Sequence, residues 1–557
     1  MSTSESPPLR GAASRTHGAW RWATLSVLCV TLLLISLDTT ILNVALPSIV
    51  RDIHATSSQL QWIVDAYAIV FAGLLLTLGA TGDRLGRKWV FMAGLVVFGA
   101  GSAFAAFSAT PDRLTLARAV MGVGAAALMP CTLSILSNTF TAEGERARAI
   151  GIWSGTTGLG VAIGPILGGF LLVHYWWGSV FLINVPIAAV GLLATWFLVP
   201  NSRNPAGKRS DPVGSFLTIS GFGLLLWGII EAPDETWTSP AILAAFAGAA
   251  AILATFVVWE RRSSHPMLPL RFFRNRRYSV AIGSLAMVIF ALLGMFFLLT
   301  QYLQFCLGFS PLQTGLAIGP LALVLLVAAP TSVLVVRRVG TKWVVATGMM
   351  LIAAGTALLA GTTVHDTYRQ ALPWFALVGL GVGLALAPLT ESIMGSLPRD
   401  EAGVGSATSD TSMQVGGALG VAVLGTALNI RFKDTMAPLL AHQPVPADIK
   451  ALIEGSLGGA LAVAQHLPAH YAEPLTAAAR HGFVSGMDLG FTVGAVMVAI
   501  AAVVVAVLLP ARAQTPPVSE AEAPVHEAAP SVHEAEAPVS EAELSGQEAG
   551  TRAPSGH

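Results

Sequence analysis

The chain has 557 residues, of which 54% are hydrophobic and only 11% charged, a balance outside the range of soluble globular proteins. Its 31 basic and 31 acidic side chains cancel formally, so the position of each sign along the chain carries more information than the total, and no nucleic-acid partner is expected. The three cysteines, Cys29, Cys131 and Cys306, all fall inside apolar stretches and read as small buried hydrophobes, not as a disulfide framework or a metal site.

A helix needs about 20 apolar residues to cross the hydrocarbon core of a bilayer. In chain order that ruler picks out segments at 22–46, 61–81, 89–108, 113–137, 149–172, 180–200, 213–231 and 241–260. The remainder fall at 279–302, 312–336, 343–362, 372–394, 405–430 and 485–510, fourteen spans in all. The first segment is longer than a signal-peptide core and contains Asp38, which argues against a cleaved leader. Residues 431–484 carry Pro444, Pro446, Pro468 and Pro474 and no spanning run, so an external cap or hairpin is expected there. Residues 511–557 repeat Pro, Ser, Glu and Ala units with eight Glu, and a disordered acidic tail is expected.

Lys and Arg mark the cytoplasmic loops of a membrane protein. With the N-terminus inside, the cytoplasmic segments collect Arg84, Arg87 and Lys88, Arg146 and Arg148, the run from Arg261 to Arg277, and Arg337, Arg338 and Lys342. The short outside loops hold only Arg51, Arg113 and Arg369. Both termini are therefore expected in the cytoplasm, and the Ala-, Gly- and Arg-rich usage points to a bacterial cell, with the protein in its cytoplasmic membrane.

Ionisable residues inside a membrane are costly and mark ion or substrate paths. Asp38 lies about eight residues, or roughly 12 Å, below the outer end of the first segment. Asp65 and Arg118 lie about four and five residues below theirs. A carboxylate paired with a guanidinium resists protonation, and one whose partner has moved away accepts a proton, so this triad is a candidate coupling device. Its plain alternative is a static bridge that neutralises Arg118, and for Asp65 an interfacial position beside Trp62 and Tyr67 where the carboxylate meets water. Glu231, Glu391, Asp410 and Asp488 lie near segment ends, where snorkelling explains them; Asp410 is kept as a further acidic candidate.

Four motifs sit in register with these segments. The turn Gly79-Ala80-Thr81-Gly82-Asp83-Arg84-Leu85-Gly86-Arg87-Lys88 returns weakly as Arg337-Arg338-Val339-Gly340-Thr341-Lys342, as in a chain built from two related halves. The others are Leu37-Asp38-Thr39-Thr40-Ile41-Leu42-Asn43-Val44-Ala45-Leu46-Pro47 in the first segment, Arg118-Ala119-Val120-Met121-Gly122-Val123-Gly124 in the fourth, and Gly160-Val161-Ala162-Ile163-Gly164-Pro165-Ile166-Leu167-Gly168-Gly169 in the fifth. Gly160, Gly164 and Gly168 form a small-residue stripe for close packing, and Pro165 permits a bend. Together they resemble the signatures of the major facilitator superfamily, and within it the fourteen-helix drug:proton antiporters.

That resemblance implies an all-α membrane fold of two six-helix bundles, at 22–200 and 279–510, with two inserted helices in 201–278 and a cytoplasmic segment at 1–21. It implies a cytoplasmic gate formed by Gly79, Asp83, Arg84, Gly86, Arg87 and Lys88, an exporter motif at Gly160, Gly164, Pro165, Gly168 and Gly169, and proton coupling through Asp38, Asp65 and Arg118. The expected activity is proton-driven export of lipophilic small molecules, cationic or neutral. Export of one endogenous metabolite, or an uncoupled sensor or facilitator, are the alternatives. Three departures stand out: Arg337 replaces the Asp of the second turn, Gly178-Ser179 replace an Arg-Trp before Val180-Phe181-Leu182-Ile183-Asn184-Val185-Pro186, and Met413 stands where an Arg is common. No Gly-x-x-x-x-Gly-Lys-Ser/Thr loop for ATP and no His-Glu-x-x-His spacing occurs, so neither an ATP-driven pump nor an enzyme, and neither metal nor cofactor, is expected.

Overall fold

The computed structural model describes residues 11–203, 210–263, 266–397, 401–441, 443 and 445–510, and the acidic tail lies outside them. Every regular element in these residues is helical. Among the described residues fourteen helices are long and apolar enough to cross a membrane. The first six are α1 (Trp20–Ile53), α2 (Ser57–Leu85), α3 (Arg87–Ala106), α4 (Pro111–Thr139), α5 (Gly144–His174) and α6 (Ser179–Leu198). Then come α7 (Pro212–Glu235) and α8 (Pro240–Arg262). They are followed by α9 (Arg276–Cys306), α10 (Pro311–Val339), α11 (Thr341–Ala360), α12 (Tyr368–Met394) and α13 (Gly403–Leu440). Two short helices, α14 (Ala447–Gly455) and α15 (Leu457–Ala464), precede the last span, α16 (Ala469–Leu508).

Helix starts follow local chemistry. Thr56 with Gln59, and Ser310 with Gln313, close capping boxes at α2 and α10, and Pro111, Pro212, Pro240 and Pro311 open their helices, where a missing N–H costs nothing. The two related turns are built alike. Gly86 (φ +118°) joins α2 to α3 and Gly340 (φ +92°) joins α10 to α11, a left-handed conformation that disfavours any side chain.

Several helices outrun their apolar cores. α1 continues through Pro47 to Ile53, α13 reaches Leu440, and α16 begins at Ala469. The stretch 431–484 is therefore mostly helix extension, with α14 and α15 between. The hydropathy ruler counts residues that bilayer can cover, whereas a helix persists wherever one face is packed. Here Phe432 and Met436 of α13 and Ala479 and Phe483 of α16 are buried, and Gly482 lies against Thr435 and Phe432.

The helices group into two bundles. α1 packs on α5 and α6, and α4 on α2 and α3; α9 packs on α13 and α16, and α12 on α10 and α11. The bundles meet along α2 with α13 and α5 with α10, while α7 touches both α2 and α13 and α8 packs on α7.

All of the hydrogen bonds between the bundles, among the described residues, lie at the end carrying the α1–α2 connection. Gln304 Nε2 donates to the Val44 carbonyl (2.9 Å), Asn429 Nδ2 to Ser58 Oγ (3.5 Å) and Ser456 Oγ to the Ala55 carbonyl (3.4 Å), and Thr426 Oγ1 lies within reach of Gln61 Oε1 (3.4 Å). α15 is wedged there too, with Gly458 against Val50 and Phe305. At the other end Gly151, Gly155 and Gly158 of α5 face open space, and Leu323, Leu326, Val327 and Leu334 of α10 are exposed. The bundles are joined at one end and apart at the other.

Candidate functional site

Groups from four other helices of the first bundle gather around Asp38 of α1. Arg118 Nη1 of α4 donates to Asp38 Oδ2 at 2.5 Å, and each side chain is 1% exposed. Asn184 Nδ2 of α6 donates to the other carboxylate oxygen at 3.2 Å and lies 3.4 Å from Ser102 Oγ of α3. Arg118 Nε donates to the Ile63 carbonyl of α2 at 3.1 Å, and its guanidinium lies over the Tyr67 ring, 4.3 Å from the centroid. Taking an Arg out of water costs several kcal/mol unless its donors and charge are both met. The carboxylate, a carbonyl and an aromatic face meet them here.

The structure separates Asp65 from this pair. On α2, Ile63 and Tyr67 face α4, whereas Asp65 shares its side with Trp62, Ala68 and Ile69. Those three pack into an apolar cluster with Leu226 and Ile230 of α7 and Ala418 and Ala422 of α13. Asp65 is fully buried there and neither carboxylate oxygen has a hydrogen-bond partner among the described residues. The interfacial, water-reaching position weighed for it does not hold, because neighbouring helices cover it. Gln61, one turn earlier on the same face, has its Nε2 unpartnered as well.

Of the remaining acids, Asp410 is half-buried near the start of α13 and forms no ion pair among the described residues. Glu231 accepts a hydrogen bond from Trp62 Nε1 (3.2 Å), and Glu391 and Asp488 are exposed.

The turn after α2 is held by its own bundle. Arg87 Nε donates to Asp83 Oδ1 at 2.7 Å and Nη1 reaches the Ser134 carbonyl of α4 at 3.4 Å. Lys88 Nζ donates to the Trp196 carbonyl of α6 at 2.7 Å, while Arg84 is exposed. A Cβ on Gly86 would lie 2.7 Å from Asn201 Oδ1, and one on Gly79 3.1 Å from Pro130. None of these contacts reaches the second bundle.

The motif glycines of α5 divide between two neighbours. Gly160, Gly164 and Gly168 lie against Ser36, Thr40 and Ile41 of α1, close enough for Thr40 Oγ1 to approach the Gly160 carbonyl at 3.4 Å. Gly169 and Pro165 face α10 instead. A Cβ on Gly169 would stand 2.5 Å from the Pro311 carbonyl oxygen, and Gly315 sits against the backbone of Pro165 and Ile166.

Asn184 is the site residue that sequence reasoning passed over. It follows the Gly178-Ser179 departure by a few residues, and a lone amide in the otherwise apolar span 179–198 is the signal that marks it. Asn184→Ala leaves one oxygen of a buried carboxylate without its donor. The variant is expected to lose about 1–3 kcal/mol of stability, measured as a lower Tm of the purified protein, and an unchanged Tm would show that the contact contributes nothing.

Two six-helix bundles sharing one seam, with a buried ion pair inside the first and two extra helices beside the seam, define a multi-pass helical membrane transporter. The profile of the Major Facilitator Superfamily matches residues 28–421, and the chain belongs to that family. It is 36% identical to the multidrug efflux pump LfrA of Mycolicibacterium smegmatis over 88% of this chain and 97% of the relative. It is 33% identical to the tetracenomycin C resistance and export protein of Streptomyces glaucescens, covering 86% and 90%. It is 32% identical to the methyl viologen resistance protein SmvA of Salmonella typhimurium, covering 86% and 97%. Among solved structures, an inward-facing, unoccupied bacterial homologue of the human lysosomal transporter Spinster shares the fold, with TM-score 0.62, 18% identity and coverage of 87% and 97%.

Proposed function

We propose that this protein is a proton-coupled antiporter that exports lipophilic small molecules across the bacterial cytoplasmic membrane by alternating access. The observation that carries the reading is the Asp38–Arg118 pair, buried in a bundle that is joined to its partner at one end only. The joined end is assigned to the outside and both termini to the cytoplasm, as the Lys and Arg distribution favours. Residues 22–200 and 279–510 are the rocking bodies, 201–278 supplies the inserted pair, and 431–484 lies outside.

Rocking about the seam exposes the cavity to one side at a time. A proton taken from outside neutralises Asp38, weakens its hold on Arg118 and accompanies release of the exported molecule. Return to the inward-open arrangement and loss of that proton to the cytoplasm reset the pair. Asp65, buried with no partner among the described residues, is a second proton or cation site, and Asp410 a third acidic candidate. The Asp83–Lys88 turn, with Gly79 and Gly86, gates the cytoplasmic side when the bundles close there. The names of the relatives support a small-molecule cargo, and an antibiotic-export relative favours, as a second reading, a single secreted metabolite.

The test is accumulation of cationic and neutral lipophilic dyes in cells lacking their own pumps, with and without a protonophore. Expression of the chain lowers accumulation of at least one charge class, and the protonophore abolishes the difference. Export that persists without a proton gradient would overturn the coupling, and no effect on any dye would leave the single-metabolite reading in its place.

A further inference from the structure

The inserted helices belong to neither six-helix bundle, yet α7 ends in the densest polar junction of the seam. Thr426 Oγ1 of α13 donates to the Ile229 carbonyl of α7 at 3.0 Å. Ser58 Oγ of α2 donates to Asp234 Oδ2 at 3.1 Å, and Lys433 Nζ of α13 donates to the other oxygen of the same carboxylate. Trp62 Nε1 of α2 reaches Glu231 at 3.2 Å. The direct polar contacts from α13 to α2 at this level are longer, at 3.4 and 3.5 Å. Below the polar layer, Leu226 and Ile230 of α7 pack with Ala68 and Ile69 of α2 and Ala418 and Ala422 of α13.

We infer that α7 is a third arm of the outer gate, with Asp234 as the positioning residue that holds α2 of one bundle and α13 of the other through Ser58 and Lys433. The inference rests on the alternating-access reading. Two bundles that rock apart at this end cannot both keep their bonds to one carboxylate. Whichever bundle α7 follows, opening must break the Asp234 junction, and the junction therefore sets how readily the outside opens. Asp234–Lys433 is the only ion pair among the described residues that links the inserted pair to a bundle helix, and it is partly solvated, so its expected effect is modest.

Cys306, buried at the outer end of α9, is a native reporter. Its alkylation by a membrane-impermeant maleimide, added outside intact cells, reads how often the outer end opens, and Cys306→Ala supplies the blank. Asp234→Asn and Lys433→Gln are each expected to speed labelling about fivefold. The double exchange Asp234→Lys with Lys433→Asp, which restores an ion pair of reversed sense, is expected to return it most of the way to the native rate. Recovery on exchange separates a gate contact from general loosening, which two substitutions would worsen. Native labelling rates in both single variants, or no recovery in the exchanged pair, would overturn the inference. Dye export by the native chain is measured in the same cells: export with unchanged labelling sinks the gate alone, and faster labelling without export by the native chain sinks the transport reading alone.

Discussion

Asp38→Asn and Arg118→Gln are each expected to abolish proton-driven export and to destabilise the protein, while the double variant recovers stability and stays inactive. Either single change strands a formal charge among side chains that are 1% exposed, at a cost of about 3–5 kcal/mol. The double variant buries two neutral polar groups that can still hydrogen-bond to each other and to Asn184 and the Ile63 carbonyl, so its Tm should exceed that of both singles. Activity follows a different logic. A static bridge is replaceable by a neutral pair, but a group that must gain and lose a proton is not. Export by the double variant with its dependence on the proton gradient intact would reduce the Asp38–Arg118 pair to a structural role. Thermal unfolding of the purified variants, together with dye accumulation in cells, reads both effects.

Gly169→Val is expected to shift the protein away from the arrangement seen here. A Cβ at that position would lie 2.5 Å from the Pro311 carbonyl oxygen and 2.6 Å from Leu312 Cα, backbone that cannot swing aside as a side chain would. Overpacking of this kind costs about 1–3 kcal/mol, roughly one to two powers of ten in the ratio of the two arrangements. Because the clash is between α5 and α10 and only where the bundles touch, parting them there relieves it. Spin labels at Ile152→Cys of α5 and Leu326→Cys of α10, both exposed toward the open end, should then show a larger short-distance population and export should fall. Gly158→Val, on the same helix but facing open space, is the control and should change neither. An unaltered distance distribution in a folded Gly169→Val protein would mean that the seam between α5 and α10 does not part in the cycle.

Both expectations draw on residues that were visible before any coordinates. Asp38 and Arg118 stood out as charges in apolar spans, and the α5 glycines stood out by their spacing of four. Their partners were not visible. The stripe Gly160, Gly164 and Gly168 reads as a packing face, yet nothing local says that it meets α1 while Gly169, one residue on, meets α10. A residue step of 100° around a helix turns the next position toward a different neighbour, and which helix stands there is a matter of bundle topology.

Asp65 makes the same point more sharply. Its distance from the end of α2 matched that of Arg118 from the end of α4, but equal depth places two groups in one plane without bringing them together. Rotation about the α2 axis puts Ile63 and Tyr67 against Arg118 and carries Asp65 round to α7 and α13. At the outer end the helices also run past their apolar stretches. Apolar length reports the part of a helix that lipid must cover, and the added turns of α1, α13 and α16 are held by packing against other protein.

The sequence by itself determined the number of spans, the place of the two related turns, the two-halved plan and the charged residues that a bilayer makes too costly to keep without a use. Each of these follows from transfer of side chains and backbone out of water, a term that acts on every segment separately. Only the tertiary structure decided which charges pair, that Asn184 and Tyr67 complete the site, that Asp65 stands apart from Arg118, and that one end of the seam is closed with α7 bound across it. Those outcomes depend on the rotation and register of helices distant in the chain, which close packing and hydrogen bonding fix jointly and no single segment encodes.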